Sequence, residues 1–176
     1  GLVLFVGAFT SITSSSISLE GKTINITKTL PVSYKTILSS KILYCYVIEL
    51  PFFLISEILF IIKFGITLTY LVQILMLTFV IIFLSAVIGL LVNLKYPKLN
   101  ASNDTEVVKQ SMSSMISVFI GWGIFLLSII GFVVLSKNIS MSILMTFHIL
   151  ILMGISIILY VILMKNGTKE YQKLNV

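Results

Sequence analysis

ITLTYLVQILMLTFVIIFLSAVIGLLVNL, Ile66 to Leu94, contains no charged residue, and its reading decides the fold. About twenty helical residues at 1.5 Å each cross the roughly 30 Å hydrocarbon core of a bilayer. This run is longer than that, so a helix built from it has to tilt, kink or project from the membrane surface. Three further runs meet the same length requirement: Ile42 to Ile62, Ser111 to Ser136 and Met141 to Met164. Gly1 to about Ile12 reads as the end of a fifth. The composition agrees, since 58% hydrophobic and 10% charged residues lie far from the balance of a soluble domain. The expected fold is all-α: a polytopic membrane helix bundle of four full spans plus the end of a fifth. Residue 1 is glycine, and the apolar run after it has no positive flank of the kind a signal peptide needs. The expectation is a C-terminal part of a longer membrane protein.

The net charge of +6 comes from twelve lysines, with no arginine, set against six acidic residues. A basic balance can mark a nucleic-acid partner, but these lysines lie between or beside the apolar runs, which is how membrane topology is encoded. No nucleic-acid partner is expected. Lys22, Lys28, Lys35 and Lys41 precede the first full span; Lys95, Lys98 and Lys109 separate the second from the third; Lys165, Lys169 and Lys173 follow the last. The other two connections hold only Lys63 and Lys137. The positive-inside rule therefore places the lysine-rich segments, and the C-terminus, in the cytoplasm. The resulting organisation is 1–18 as the end of a span, 19–41 as a cytoplasmic segment, 42–164 as a four-helix bundle with a cytoplasmic loop at 95–110, and 165–176 as a cytoplasmic tail.

In that loop Asn103 is placed to cap a helix with Glu106 at its third position, and Glu106 can pair with Lys109 one turn on. The third span is thus expected to begin as a polar helical extension. Ser85 and Gly89 lie one turn apart near the inner end of the second span, as do Ser117 and Gly121 in the third. Antiparallel helices bring these notches to one depth, where small residues permit close packing. The Asn-x-Ser/Thr triplets at Asn25, Asn100, Asn103, Asn138 and Asn166 read as chance, because only Asn138 faces outward and its loop is short.

Glu49 and Glu57 fall inside the first full span, either side of Pro51. A charge at mid-bilayer costs on the order of 3 kcal/mol, so both are functional candidates. Pro51 removes the bond to the Val47 carbonyl and is expected to kink the helix beside Glu49. Glu49 either lines a path or bonds a neighbouring Ser, Thr or Gln such as Gln73. Glu57 lies near Lys63 and the outer surface, where snorkelling explains it. His148, two turns into the last span, reads better as a neutral packed histidine than as a proton relay. Cys45 is a packed apolar thiol, with no partner for a disulfide and no metal cluster. Adjacent glutamates followed by arginine, HExxH, Ser–His pairing and an intramembrane aspartate pair are all missing, so the sequence carries no catalytic residues and no metal site.

Gly21-Lys22-Thr23 resembles the end of a phosphate-binding loop, but Ser16 stands where its first glycine belongs, and no β-branched strand leads in. The surrounding sequence, SLEGKTINITKTLPVSYKTILSSK (Ser18 to Lys41), resembles instead a segment of bacterial type 2 ABC exporter permeases of a clostridial-type branch. Ser18 to Lys22, Lys28 to Ser33 and Ser40-Lys41 carry the likeness, and Lys95 to Leu99 with Glu106 to Ser111 extend it. The resemblance implies a permease of the bacterial cytoplasmic membrane that catalyses nothing itself. It pairs with a separate ABC ATPase subunit, which holds the ATP and magnesium, and with a second permease half or a second copy within the lipid bilayer. It also implies that residues 19–31 form a coupling element, with Leu19, Glu20, Gly21, Lys22, Lys28, Leu30 and Pro31 at the ATPase contact. A six-helix domain ending inside would make the incomplete helix second and the last one sixth.

The residues themselves are compatible with that. Ile24, Ile26 and Leu30 stand among Thr23, Asn25, Thr27 and Lys28, as in a short interfacial element. Gly21 and Pro31 bracket it as breakers, and Ser33 is placed to cap the following helix. The rival expectations are an ion-coupled carrier or channel using Glu49 and His148, and a non-transporting immunity or assembly subunit.

Overall fold

The computed structural model describes residues 12–101 and 103–174; the expected end of a fifth span, residues 1–11, lies outside them. A short helix α1 (Thr13–Ser16), a 3-10 turn (Ser18–Thr23) and helix α2 (Ile24–Thr29) precede the long α3 (Tyr34–Phe64). Then come α4 (Leu68–Lys95), α5 (Asp104–Gln110), α6 (Met112–Leu135) and α7 (Met141–Ile162). A π-helical turn (Leu163–Gly167) joins α7 to α8 (Thr168–Lys173). The chain is 86% helical over its described residues, with no strand among them. Four of its helices are long and apolar enough to cross a membrane. It is an all-α, multi-pass membrane helix bundle.

Local chemistry sets the ends of these helices. Ser33 accepts from the Thr36 amide at 3.2 Å and starts α3 eight residues ahead of the apolar run; residues 34–41 are therefore helix. α3 runs on through Pro51 to Gly65, whose φ of 60° and ψ of 60° give the left-handed stop that glycine adopts without a Cβ penalty. Asn103 accepts from the Glu106 amide at 2.9 Å, as the capping pattern requires. The expected polar extension of the third span exists, but as the separate helix α5. Ser111 turns extended, with ψ of 142°, and its hydroxyl accepts from the Ser114 amide to start α6 afresh. Glu106 pairs with Lys98 at 2.6 Å, tying α5 to the connection after α4; the side chain of Lys109, its expected partner, lies outside the described residues.

Helix α4 is the axis of the bundle: 56% of its most apolar stretch is buried, against 22% for α3 and for the last long helix. A helix apolar all round is expected to be enclosed by others. One face, through Ile82, Ala86, Leu90 and Leu94, packs with Leu38, Ile42, Cys45 and Phe53 of α3 and with Ile17 and Ile24. The other face, through Leu77, Ile81, Leu84, Ile88 and Val92, meets Ile149 and Leu152 of α7, with Ile116, Ile124 and Phe125 of α6 alongside. In lipid the gain from these contacts is close packing and hydrogen bonding, not escape from water.

Candidate functional site

The chemistry-bearing side chains concentrate at the lysine-rich end of the bundle and are organised by Asn93, in the last turn of α4. At the end of α1, Ser16 Oγ donates to the Thr13 carbonyl at 3.0 Å, and the chain then turns away. The Ile17 and Ser18 amides both donate to Asn93 Oδ1, at 2.8 and 3.2 Å. Asn93 Nδ2 donates to Ser18 Oγ at 2.7 Å and to Ser113 Oγ at 3.1 Å. The carboxamide, fully buried, thus uses both lone pairs and both protons. Ser18 Oγ also accepts from the Lys98 amide at 2.9 Å, so one side chain of α4 ties together the start of the 3-10 turn, α6 and the 95–101 connection. Nearby, Thr13 Oγ1 donates to the Ala86 carbonyl at 2.9 Å, and Ser111 reaches Ser113 and Ser114 at 3.1 and 2.8 Å.

From this anchor the chain passes through Gly21, at φ 48° and ψ −127°, where a Cβ would stand 3.3 Å from the Leu99 carbonyl oxygen. Only glycine enters that region without strain. Ile24 then drops into the core, fully buried, and α2 follows. Leu19, Ile26, Leu30 and Val32 remain exposed, Ile26 to 67%. Pro31 is exposed as well. The seven residues expected at a partner contact therefore separate. Leu19, Leu30 and Pro31 face outward, and Gly21 shapes the turn. The side chain of Lys22 lies outside the described residues. Glu20 faces inward: its carboxylate meets Lys41 Nζ at 2.5 Å and accepts from the Tyr171 hydroxyl at 2.8 Å. Lys28 Nζ donates to the Gln172 carbonyl at 3.1 Å and to that of Leu174. Gly21-Lys22-Thr23 sits on a 3-10 turn, with no strand before it among the described residues.

Within the spans, Cys45, Glu49, Phe53 and Glu57 form a buried line at four-residue spacing along the face of α3 toward α4. Glu57 does not snorkel. It is 6% exposed and accepts from the Thr78 hydroxyl of α4, because its side chain lies on the helix face that α4 covers. Glu49 is equally enclosed at 3%, but Gln73 does not serve it. Gln73 Nε2 is committed to α7, within 2.9 to 3.0 Å of the Ser142 carbonyl, Ser142 Oγ and Thr146 Oγ1. His148 packs edge-on against Phe132 with ring centroids 5.0 Å apart, as a packed histidine does. Gly89 and Ser117 are buried and Ser85 and Gly121 half-buried. The two serine hydroxyls turn back on their own helices, to Ile82 and Ser113. No cluster of three metal-ligating side chains occurs among the described residues.

Sequence reasoning missed Asn93, Thr13 and Tyr171. The available signal for Asn93 was its position in LLVNLK, an amide two residues inside the charge that ends a span. The chain matches no protein-family profile, no curated protein and no solved structure.

Proposed function

We propose that this chain is the membrane-spanning permease part of an ATP-driven exporter, with its lysine-rich end in the bacterial cytoplasm and residues 18–32 as the seat of a separate ATPase. The observation that carries the reading is the contrast within that segment. Its buried side is pinned to α4 by Asn93 and runs through Ser33 directly into α3, while Leu19, Ile26, Leu30 and Val32 are left uncovered. Such an element behaves as a lever: a partner gripping the apolar face moves α3 and α4 together, since the segment is continuous with the one and hydrogen-bonded to the other. Closure of the ATPase on ATP would tilt the element and repack the spans, a two-state change of the hinge and shear kind.

The chain itself contributes no chemistry in this reading; ATP and magnesium belong to the ATPase, and a second permease half or copy completes the path through the bilayer. The test replaces residues 19–31 by a Gly/Ser linker and measures ATP-dependent export and copurification with an ATPase. Both are expected to be lost, and export that persists would remove the coupling role.

The burial of Glu49 and Glu57 between α3 and α4 favours a second reading, an ion-coupled carrier. That reading expects transport to fall with Glu49→Gln and to be indifferent to any ATPase. The exporter reading expects dependence on the ATPase and a working Glu49→Gln variant.

A further inference from the structure

The segment carrying the proposed docking face is held at a second place, far away in sequence. Helix α7 does not stop where it leaves the apolar region. It passes through the π-helical turn 163–167, whose wider winding rotates the following residues by roughly 100° for each residue inserted. At Gly167 a Cβ would lie 2.8 Å from Leu163 Cδ1 and 3.0 Å from Leu94 Cδ1, so the π-helical turn is pressed against the end of α4. α8 then inserts Tyr171, fully buried, beside Tyr34 of α3, with ring centroids 5.8 Å apart.

The tyrosine hydroxyl donates to Glu20 Oε2 at 2.8 Å, while Glu20 Oε1 holds Lys41 Nζ of α3 at 2.5 Å. Both side chains of that ion pair are about 85% covered, so neither is a freely screened surface charge. A separate contact runs the other way. Lys28 of α2 reaches across to the carbonyls of Gln172 and Leu174, the unsatisfied acceptors at the C-terminal end of α8.

We infer that α8 is a clamp on residues 18–29, joining the docking segment to the last span, and that Tyr171 is the positioning residue that fixes Glu20. The mechanical meaning rests on the coupling role proposed above; the clamp itself does not. Movement of the segment is then delivered to α7 as well as to α3 and α4, and release of α8 frees α2 while Asn93 still holds the turn.

The test follows hydrogen exchange of the amides of residues 19–29 in the purified full chain in micelles. Tyr171→Phe keeps the ring and removes the hydrogen bond to a charged acceptor, so exchange in this segment is expected to rise roughly tenfold, with α4 unchanged. Lys28→Met, which removes the other contact, is expected to act in the same direction. In a Glu20→Ala background the increment from Tyr171→Phe is expected to shrink to what the Thr27 contact of the same hydroxyl supplies, whereas a tyrosine acting independently of Glu20 would give the same increment in both backgrounds. Unchanged exchange in both Tyr171→Phe and Lys28→Met would overturn the clamp. The measurement needs no ATPase, so failure of the exporter reading leaves its result standing, and failure here leaves the docking face of Leu19, Ile26 and Leu30 in place.

Discussion

Replacing Asn93 by leucine is the sharpest perturbation the structure offers. The two side chains are close in size, so Asn93→Leu opens no large cavity and the cost comes from polar groups. Four hydrogen bonds are lost, at 2.8, 3.2, 2.7 and 3.1 Å. The two serine hydroxyls can rotate toward other partners: Ser18 Oγ keeps the Lys98 amide, and Ser113 Oγ keeps Ser111. The Ile17 and Ser18 amides cannot move without unwinding the turn, and an orphaned buried donor costs about 1–3 kcal/mol. The sum for two is about 2–6 kcal/mol. Asn93→Asp retains both acceptor positions for those amides and lets the serine hydroxyls donate to the second oxygen, so it is expected to fall between wild type and Asn93→Leu. The assay is denaturant titration in mixed micelles, followed by fluorescence of Trp122, the single tryptophan. Hydrogen exchange at Ile17 and Ser18 serves as the local readout. If Asn93→Leu unfolds within about 0.5 kcal/mol of wild type, no more than the least a single typical hydrogen bond contributes, Asn93 does not anchor the turn.

Two other outcomes follow from single contacts. Gly21→Ala forces a side chain into φ 48° and against the Leu99 carbonyl, with an expected loss of about 1–3 kcal/mol in the same titration and faster exchange in α2. Thr78→Val removes the hydroxyl that serves Glu57, leaving a buried carboxylate short of a donor at a cost of about 1–3 kcal/mol. Adding Glu57→Leu to Thr78→Val is expected to restore most of that loss, since a well-packed apolar pair replaces a buried polar one at little cost; no recovery would mean that the two residues do not act as a pair.

The sequence by itself determined the number of spans, their approximate limits and the segregation of lysines to alternate connections. These follow from summed transfer energies over twenty or more residues, which no local contact overrides. The caps at Ser33 and Asn103 were legible for a related reason: a cap is a contact within one turn, and the residues that make it are neighbours in sequence. Gly21 and Pro31 as the limits of a separate element were legible too, from backbone preference alone.

Which face each helix turns inward was not legible. α4 is apolar on every side, so periodicity could not separate the face that meets α3 from the one that meets α7. Glu57 was read by its distance from the surface, but its fate depends on the azimuth of α3 against Thr78, which tertiary packing fixes. Gln73 was one candidate partner for Glu49 and belongs to Ser142 and Thr146 instead, because α7, not α3, lies beside that side of α4. The anchoring of residues 18–29 joins Ile17 and Ser18 to Asn93, and Glu20 to Tyr171, across long stretches of chain. A buried polar group must find a partner, but which distant residue supplies it is decided only when the helices have packed.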